Sequence, residues 1–587
     1  MGGRTALGLL TAALLASAAY ADAPAPLSAA AAPAIASPAA PAVPVVPPPV
    51  AAAPAAAHPA GYQPIYVVRT DHWSETDERD YSRFVADIGD SGCNTVDKCL
   101  HSMRNPFRAS DPDGVYFRSD CADLPYNLRF YFAWKRGLPF GYVSEVSSRG
   151  SGRDIRYTFK GNAVAERVTV PSGGTTGYAV METLRDAISS ATFRIHPLLE
   201  EPQDSDTYSP VIDAKSIHPG TMIYDPNGHV ATVYKVEPDG RIRYIDAHPD
   251  SSITHGFYDL RFVRAFPGMS AGFKNWRPLK LVGARQLPDG SYIGGHAVPA
   301  ANAQIADFSV EQFYGTGKRP DDDHDWRQGG FALNGQAIDW YDYVRAKLAG
   351  GRLQFDPLRE VSDMIDSNCA DLHDRVIAVD LAIRAGIANQ SEPDRLPVNI
   401  YGTEGDWETY STPSRDARLK TAFKELRDTV ERFVAMYRAR DPRLQYKGSD
   451  LIAELIALYD GRTAACSISY TRTDGMTITI GYEEARRRLF AMSFDPYHCI
   501  ERRWGAILPQ EYSTCPDGTL KAAWYEAEKA FRNQLDRTYE ARMDFSLDEL
   551  GEPGPGKGVA NPPDTDVRRF LVNQQGTAPA KPQSING

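Results

Sequence analysis

The sequence has no excess of positive charge. Its 64 Lys and Arg residues stand against 75 Asp and Glu, which gives a formal net charge of −11. A dedicated nucleic-acid binder needs a basic surface to engage phosphates, so this class of protein is excluded and no nucleic-acid partner is expected. Charged residues make up 24% of the chain and hydrophobic ones 42%. These are values of a folded protein rather than of a disordered one.

Long apolar runs are also missing. A transmembrane helix needs about 20 consecutive apolar residues, and the run from Ala6 to Ala18 is shorter. This run follows Arg4 and ends in Ala19-Tyr20-Ala21, which is the pattern of a secretory signal peptide over residues 1–21. We therefore predict an exported protein, periplasmic in a bacterium or extracellular, with no transmembrane segment.

The domain organisation is predicted from composition and length. Residues 22–60 contain 18 Ala and 11 Pro but a single charge, Asp22, which indicates a semi-rigid linker. The remaining residues, 61–587, are more than the ~250–300 that one hydrophobic core usually supports. We predict an α+β domain over residues 61–300, a mainly helical domain of unknown role over 301–550, and a flexible tail rich in Pro and Gly over 551–587.

Two kinds of ligand site are not predicted. No Gly-rich phosphate-binding loop follows a strand, so no nucleotide cofactor is expected. The acidic run Asp321-Asp322-Asp323-His324-Asp325 has the spacing of no known cation-binding loop. We interpret it as a solvated acidic turn, and no metal site is predicted.

The chain has only seven cysteines, an odd number. In an oxidising compartment thiols usually pair, which leaves one over. The spacing does not fix the connectivity, but an economical partition leaves Cys121 as the free thiol. Its three pairs are Cys93 with Cys99, Cys369 with Cys466, and Cys499 with Cys515.

Cys121 precedes a segment with helical periodicity that ends at Gly137. Asp120 is a suitable N-cap and Asp123 resembles the acidic arm of a capping box, although Pro125 indicates a start one or two residues later. A thiol at a helix N-terminus has a lowered pKa, and the free N–H groups there can hold an oxyanion. This pattern predicts Cys121 as a nucleophile.

A predicted hairpin supplies the partners of this thiol. The strand that opens at His229 turns at Glu237-Pro238-Asp239-Gly240, and the returning strand ends at Asp246. The hairpin therefore places His229 beside Asp246, an arrangement in which a carboxylate orients a general base. His248 is the alternative third residue.

These motifs resemble a known family. Asp120-Cys121-Ala122-Asp123-Leu124, followed by an aromatic helix and Gly137-Leu138-Pro139, resembles the cysteine helix of NlpC-type cell-wall peptidases. Pro219-Gly220-Thr221 and Gly228-His229-Val230 resemble that family's Pro-Gly-Asp strand and histidine strand. The transglutaminase-like branch of the same papain-like superfamily is similar here too, since an Asp ends its strand after the histidine strand.

The resemblance covers about residues 105–265. It implies a papain-like domain, with a cysteine helix packed on an antiparallel sheet, in which Cys121 is the nucleophile, His229 the base and Asp246 the orienting residue. It also implies cell-wall peptide, or another envelope polymer, as the partner. The sequence differs from the NlpC pattern in having Ala122-Asp123 instead of Ser-Gly, and Thr221 instead of Asp.

The second half of the chain carries apolar residues at helical spacing in the segments 356–388, 415–438, 449–459, 483–492 and 520–541, with a hairpin around Asp474-Gly475. Asn368-Cys369-Ala370-Asp371-Leu372 repeats the pattern at Cys121, which leaves open a second thiol site with His373 or His498. Clustered Tyr and Trp side chains either pack in a core or stack on a polymer.

Two functions remain at this stage. The first is a thiol-dependent hydrolase, a peptidase or amidase, that cleaves an amide bond in cell-wall peptide through Cys121, His229 and Asp246. The alternative is a non-catalytic envelope protein that binds a wall or surface polymer through aromatic grooves. The oligomeric state is not predicted.

Overall fold

The architecture is α+β with antiparallel sheets, as predicted, in a computed structural model that describes residues 64–150, 154–199, 205–398, 405–410, 413–535, 542–552 and 554–575. The predicted signal peptide and linker lie outside these residues. Within the described residues, no helix combines the length and the apolar character needed to cross a bilayer.

The helices are spread along the whole described chain, and the longest lie in its second half. Their bounds are α1 Glu75–Asp90, α2 Val96–Leu100, α3 Leu124–Arg136, α4 Gly177–Ala187, α5 Glu311–Tyr314, α6 Trp340–Leu348, α7 Pro357–Arg384, α8 Gly405–Tyr410, α9 Pro413–Ala439, α10 Leu451–Ala464, α11 Tyr482–Arg488, α12 Ile500–Arg503, α13 Pro509–Tyr512, α14 Thr519–Ala527, α15 Lys529–Asn533, α16 Leu547–Gly551 and α17 Val567–Gln574.

The strands lie mostly in the first half. Their bounds are β1 Gly141–Ser148, β2 Asn162–Thr169, β3 Thr207–Tyr208, β4 Met222–Asp225, β5 His229–Val236, β6 Ile242–Ala247, β7 Ile253–Phe257, β8 Gly272–Trp276, β9 Leu279–Val282, β10 Arg285–Gln286, β11 Tyr292–Ile293, β12 His296–Pro299, β13 Phe331–Leu333, β14 Gln336–Ile338, β15 Ser467–Thr471 and β16 Thr477–Gly481.

One six-stranded sheet, in the order β3-β8-β4-β5-β6-β7, forms the centre of the first half. Successive residues of a strand point to opposite faces, and here each face has its own core. Met222 and Tyr224 pack with the side chains of α1 and α3, whereas Ile223 packs against the segment around α6. The alternation of residues after His229 predicts a half-buried strand. This prediction is wrong, because layers cover both faces and His229 to Tyr234 are all buried.

Helix α3 begins later than the predicted N-cap at Asp120. Its first residue is Leu124, Pro125 lies in its first turn, and Cys121 falls in the turn just before it. Pro125 has no N–H to donate, so it is tolerated only in the first turn of a helix and shifts the start to Leu124. The helix ends at Gly137, which has a φ of 67° and caps it in the left-handed conformation.

The second half has a separate helical core. Helices α7, α9 and α10 and the hairpin β15–β16 lie where the periodicity predicts them, and their apolar faces meet around Leu372, Leu426 and Trp504. The residues predicted as a flexible tail contain α17, because Val567 and Leu571 are buried in this core. The tail is therefore partly structured, within the residues described.

Three disulfides join the cysteines in the pairs that the partition gave, namely Cys93–Cys99, Cys369–Cys466 and Cys499–Cys515. Cys121 is the free cysteine. The second thiol site considered at Cys369 is wrong, since this sulfur is bonded to Cys466 and the repeated motif lies in the middle of α7.

Arginine–carboxylate pairs connect the central sheet to the helical half. Arg241, at the start of β6, binds Asp363 of α7 at 2.8 Å, and Arg261, after β7, contacts Asp371 of the same helix at 3.3 Å. Helix α9 reaches the loop after β6, where Arg415 lies 3.4 Å from Asp250. These pairs bring α9 to the end of β6, next to the predicted site.

Candidate functional site

Cys121 is held by a turn that its acidic neighbours build. Asp120 accepts hydrogen bonds from the N–H groups of Ala122 and Asp123, and Asp123 accepts one from the N–H of Asp120 at 3.0 Å. This is the reciprocal pattern of a capping box, formed one turn before α3. The N–H of Cys121 donates no hydrogen bond to any described residue.

The thiol lies against the beginning of β5. Its sulfur is 3.9 Å from the carbonyl oxygen of Gly228, and the N–H of Val230 also points to it. The sulfur therefore contacts the backbone on both sides of His229. Gly228 closes the turn from β4 with a φ of 84°, and a Cβ there would come within 3.1 Å of the Tyr157 ring, so this turn requires glycine.

His229 is oriented by Asp246. Its Nε2 lies 2.5 Å from Oδ2 of Asp246, whose Oδ1 accepts a hydrogen bond from the hydroxyl of Thr254 on β7. Asp246 and Thr254 are direct cross-strand partners. With Nε2 occupied by the carboxylate, Nδ1 of His229 makes no hydrogen bond within the described chain and carries the lone pair of this tautomer.

His248, the alternative third residue, does not bond to His229. The two rings are stacked with centroids 6.0 Å apart, and Nε2 of His248 lies 4.0 Å from Asp246 and 3.4 Å from the hydroxyl of Thr254. Asp246 is therefore the residue that orients His229, and His248 lies next to the carboxylate of Asp246.

Two arginines from helix α9 complete the surroundings. Nη1 of Arg418 is 3.7 Å from Oδ2 of Asp246, and Arg415 pairs with Asp250. The carboxyl of Asp225, the cross-strand neighbour of His229, is fully buried, and its pKa is raised to about 6 by this burial. Arg418 opposes that rise.

The pKa values describe a neutral resting site. Burial, with a smaller contribution from Asp120, raises the pKa of the Cys121 thiol well above its ordinary value. Burial and the nearby Arg418 lower the pKa of His229 to about 4, against the opposing effect of Asp246. The lowered thiol pKa expected for a helix N-terminus is not found, because burial outweighs other influences on the thiol pKa and Cys121 precedes α3. At neutral pH the pair is a thiol and a neutral imidazole.

The sequence predicted the contact between His229 and Asp246, which the structure contains, but gave no indication of Thr254 and Arg418 beside them. Thr254 lies opposite Asp246 because β7 pairs with β6. The sequence predicted only the hairpin of β5 and β6. No sequence signal marks Arg418, since it lies on a long helix 172 residues beyond Asp246, and only tertiary packing brings it to the site.

No protein-family model, curated protein or solved structure matches this chain.

Proposed function

We propose that the protein is an exported thiol-dependent hydrolase of papain-like type that cleaves an amide bond in cell-wall peptide. Cys121 is the nucleophile, His229 the general base and Asp246 the residue that orients it. Export is proposed from the signal-peptide pattern, and the three disulfides agree with an oxidising compartment. The substrate class is proposed from the motifs around Cys121 and His229.

One observation carries the proposal. The only free thiol among the seven cysteines lies against the backbone that flanks His229, and this histidine is hydrogen-bonded to a buried carboxylate. A nucleophile, a base and a group that orients the base are the parts that covalent acyl transfer needs. The thiol comes from the turn before α3 and the other two groups from the hairpin β5–β6, so only tertiary packing brings the thiol to this hairpin.

Because Cys121 and His229 are both neutral before the reaction, the thiol must lose its proton during the attack. As the sulfur of Cys121 attacks the substrate carbonyl, Nδ1 of His229 takes the thiol proton, and Asp246 stabilises the imidazolium that forms. The N–H of Cys121 donates to the oxyanion. His229 then passes its proton to the leaving amine, and the C–N bond breaks to give a thioester. A water molecule, deprotonated by His229, hydrolyses the thioester and releases the carboxylic acid and the thiol.

The non-catalytic alternative gains no support from the aromatic side chains of the second half. Polymer binding through aromatic grooves needs exposed rings, but Trp340, Tyr343 and Trp407 are all buried. They pack in cores, as the simpler interpretation of their clustering predicts.

The test is incubation of the purified full chain with isolated cell-wall peptides, with mass spectrometry of both peptides and protein. We expect cleaved peptides, and a thioester adduct on Cys121 after rapid acid quench. Cys121→Ser should remove the cleavage, whereas Thr183→Ala, which changes an exposed hydroxyl on α4, should not. Absence of both cleavage and adduct with the wild-type chain would overturn the proposal.

A further inference from the structure

A buried lysine lies in the first half of the molecule. Lys274 is on β8, next to the edge strand β3, and only 4% of its surface is exposed. Its ammonium group donates a hydrogen bond to the hydroxyl oxygen of Ser270 at 2.7 Å. No carboxylate among the residues described forms an ion pair with it, and none affects its pKa. A buried ammonium group without a counter-ion is costly, so this lysine needs a partner or must lose its proton.

A small cavity lies beside this lysine. Lys274 lines it together with Arg277, and no carboxylate among the described residues does so. The cavity volume is about 10 Å³, which is room for about one particle of the size of a water molecule. Arg277 is also buried, with 5% of its surface exposed. The lining therefore carries two positive charges and favours an anion that consists of a single atom.

The charge of Arg277 is not cancelled by a direct contact within the described chain. Its side chain donates to three neutral oxygen atoms, those of Ser205, Ala300 and Asn302. Asp206, the carboxylate that acts on the pKa of Arg277, is itself paired with Arg167 at 2.7 Å. Both cations of the lining therefore bind neutral groups, and their positive potential extends into the cavity.

Two buried hydroxyl groups of the lining also have hydrogen atoms without an acceptor. Oγ of Ser270 accepts from Lys274, and Oγ of Ser209 accepts from the side-chain amide of Gln312. Each hydroxyl carries one hydrogen and the ammonium group carries three. Neither serine side chain donates to a described residue, and Lys274 uses one of its three hydrogens. Two N–H and two O–H groups of the lining therefore lack an acceptor, which is costly in a buried site.

We propose that Lys274, Ser209 and Ser270 bind one small monovalent anion of the chloride class in this cavity. The anion supplies the counter-charge of the ammonium group and accepts the unused hydrogens of the three side chains. Phosphate, sulfate and carboxylates are excluded, because a single atom fills the available space. The competing arrangement is a neutral lysine that accepts the hydrogen of Ser270, with a water molecule in the cavity. That arrangement leaves the charge of Arg277 without an anion, and it gives no dependence on chloride.

Replacement of gluconate by chloride in the buffer of the full chain tests the proposal. Gluconate is too large for the cavity, so it is the control anion at constant ionic strength. Burial, and then Arg277, lower the pKa of Lys274 to about 7, so the ammonium form dominates at about pH 6.5 and the amine at about pH 9. We expect chloride to raise the melting temperature by a few degrees at the lower pH and to have no effect at the higher pH.

The other titratable groups of the described lining do not produce this pH dependence. Burial lowers the pKa of His196 below its ordinary value and raises that of Tyr208. The pKa of Arg277 is lowered by burial to about 10, so this side chain stays charged at both pH values. Lys274 is therefore the group of the lining that changes its charge between them.

Variants separate this site from lysines at the surface. Lys274→Met removes the charge and should abolish the melting shift caused by chloride, and Ser209→Ala should weaken chloride binding several-fold. Lys280→Met, at an exposed lysine on β9, should keep the shift of the wild type. Crystals soaked in sodium bromide should give an anomalous scattering peak within hydrogen-bonding distance of Nζ of Lys274.

The proposal is overturned if the wild-type chain melts at the same temperature in chloride and in gluconate and shows no bromide peak beside Lys274. This lysine is then a neutral amine with water in the cavity. An equal shift in wild type and Lys274→Met also overturns it, since chloride would then act elsewhere. Neither result bears on peptide cleavage, because no residue of the proposed catalytic site lines this cavity.

Discussion

The two halves of the molecule each bury a histidine beside a carboxylate, but they use it differently. The Nε2 of His229 is hydrogen-bonded to Asp246, and its Nδ1 makes no hydrogen bond within the described chain. His498 has both nitrogens occupied, one by the hydroxyl of Ser493 and one by the carbonyl of Lys521. A buried histidine is available for proton transfer only where one nitrogen lacks a structural partner, so we propose a chemical role for His229 and a structural one for His498.

Replacement of the orienting carboxylate should have the largest effect. In Asp246→Asn the amide no longer fixes the tautomer of His229 or stabilises its imidazolium, so we expect peptide cleavage to fall by about 10³–10⁴-fold. Asp495→Asn, the matching change beside His498, should leave the cleavage rate of the folded protein within a few-fold of wild type. The measurement is the initial rate of peptide release. Equal losses in the two variants would contradict the comparison.

The disulfides differ in the two halves as well. Cys369–Cys466 closes a separation of 97 residues in the helical core, and Cys93–Cys99 closes one of 6 in the first half. On the chain-entropy account, loss of the long loop closure costs about 4–5 kcal/mol of unfolding free energy and loss of the short one about 2 kcal/mol. Urea unfolding of the two double Cys→Ser variants measures this difference. A larger loss at Cys93–Cys99 would contradict the expected order.

The low pKa of His229 makes both cleavage and stability depend on pH. Above about pH 4 the folded histidine is neutral and can act as a base, so cleavage should decline as the pH falls through 4. In the unfolded chain the ordinary pKa is near 6.5, so the unfolded state gains the proton first. Stability is then lost between about pH 6.5 and 4, by up to about 3 kcal/mol from this group.

Chemical unfolding and cleavage rates across pH 4–7 check both parts. His229→Asn should show a smaller loss of stability over this range and no cleavage at any pH. His498→Asn should alter stability only and keep the pH profile of cleavage. A cleavage profile that follows His498 instead would reverse the assignment of the two histidines.

The smallest expected effect is that of replacing Arg418, which lies on α9 beside the end of β6. Arg418 is the nearest positive charge to Asp246 and lowers the pKa of His229. Arg418→Ala should therefore move the acid limb of the cleavage profile to higher pH. Lys424→Gln, a change on the same helix at a residue paired with Asp428, should leave the limb in place. NMR titration of the His229 ring measures the same shift directly, and an unchanged pKa in Arg418→Ala would exclude this role.

The sequence was sufficient for features set by local chemistry. Helical periodicity predicted α7, α9 and α10, turn residues predicted the hairpin that joins β5 and β6, and the odd number of cysteines predicted one free thiol, which is Cys121 in the structure. It failed where the outcome depends on what packs against a segment. The sequence of β5 does not indicate that both faces of this strand are covered. The helix predicted from Asp120 begins at Leu124, because Pro125 is tolerated only in the first turn.

The sequence by itself determined the order of the main helices and strands and the presence of one unpaired cysteine, because periodicity, turn residues and cysteine number are local or compositional features. Only the tertiary structure decided that Cys121 reaches β5 and that Arg418 lies beside Asp246. The pKa values of Cys121 and His229 follow from this packing. Burial and distant charges set them, and neither can be derived from the neighbours of a residue along the chain.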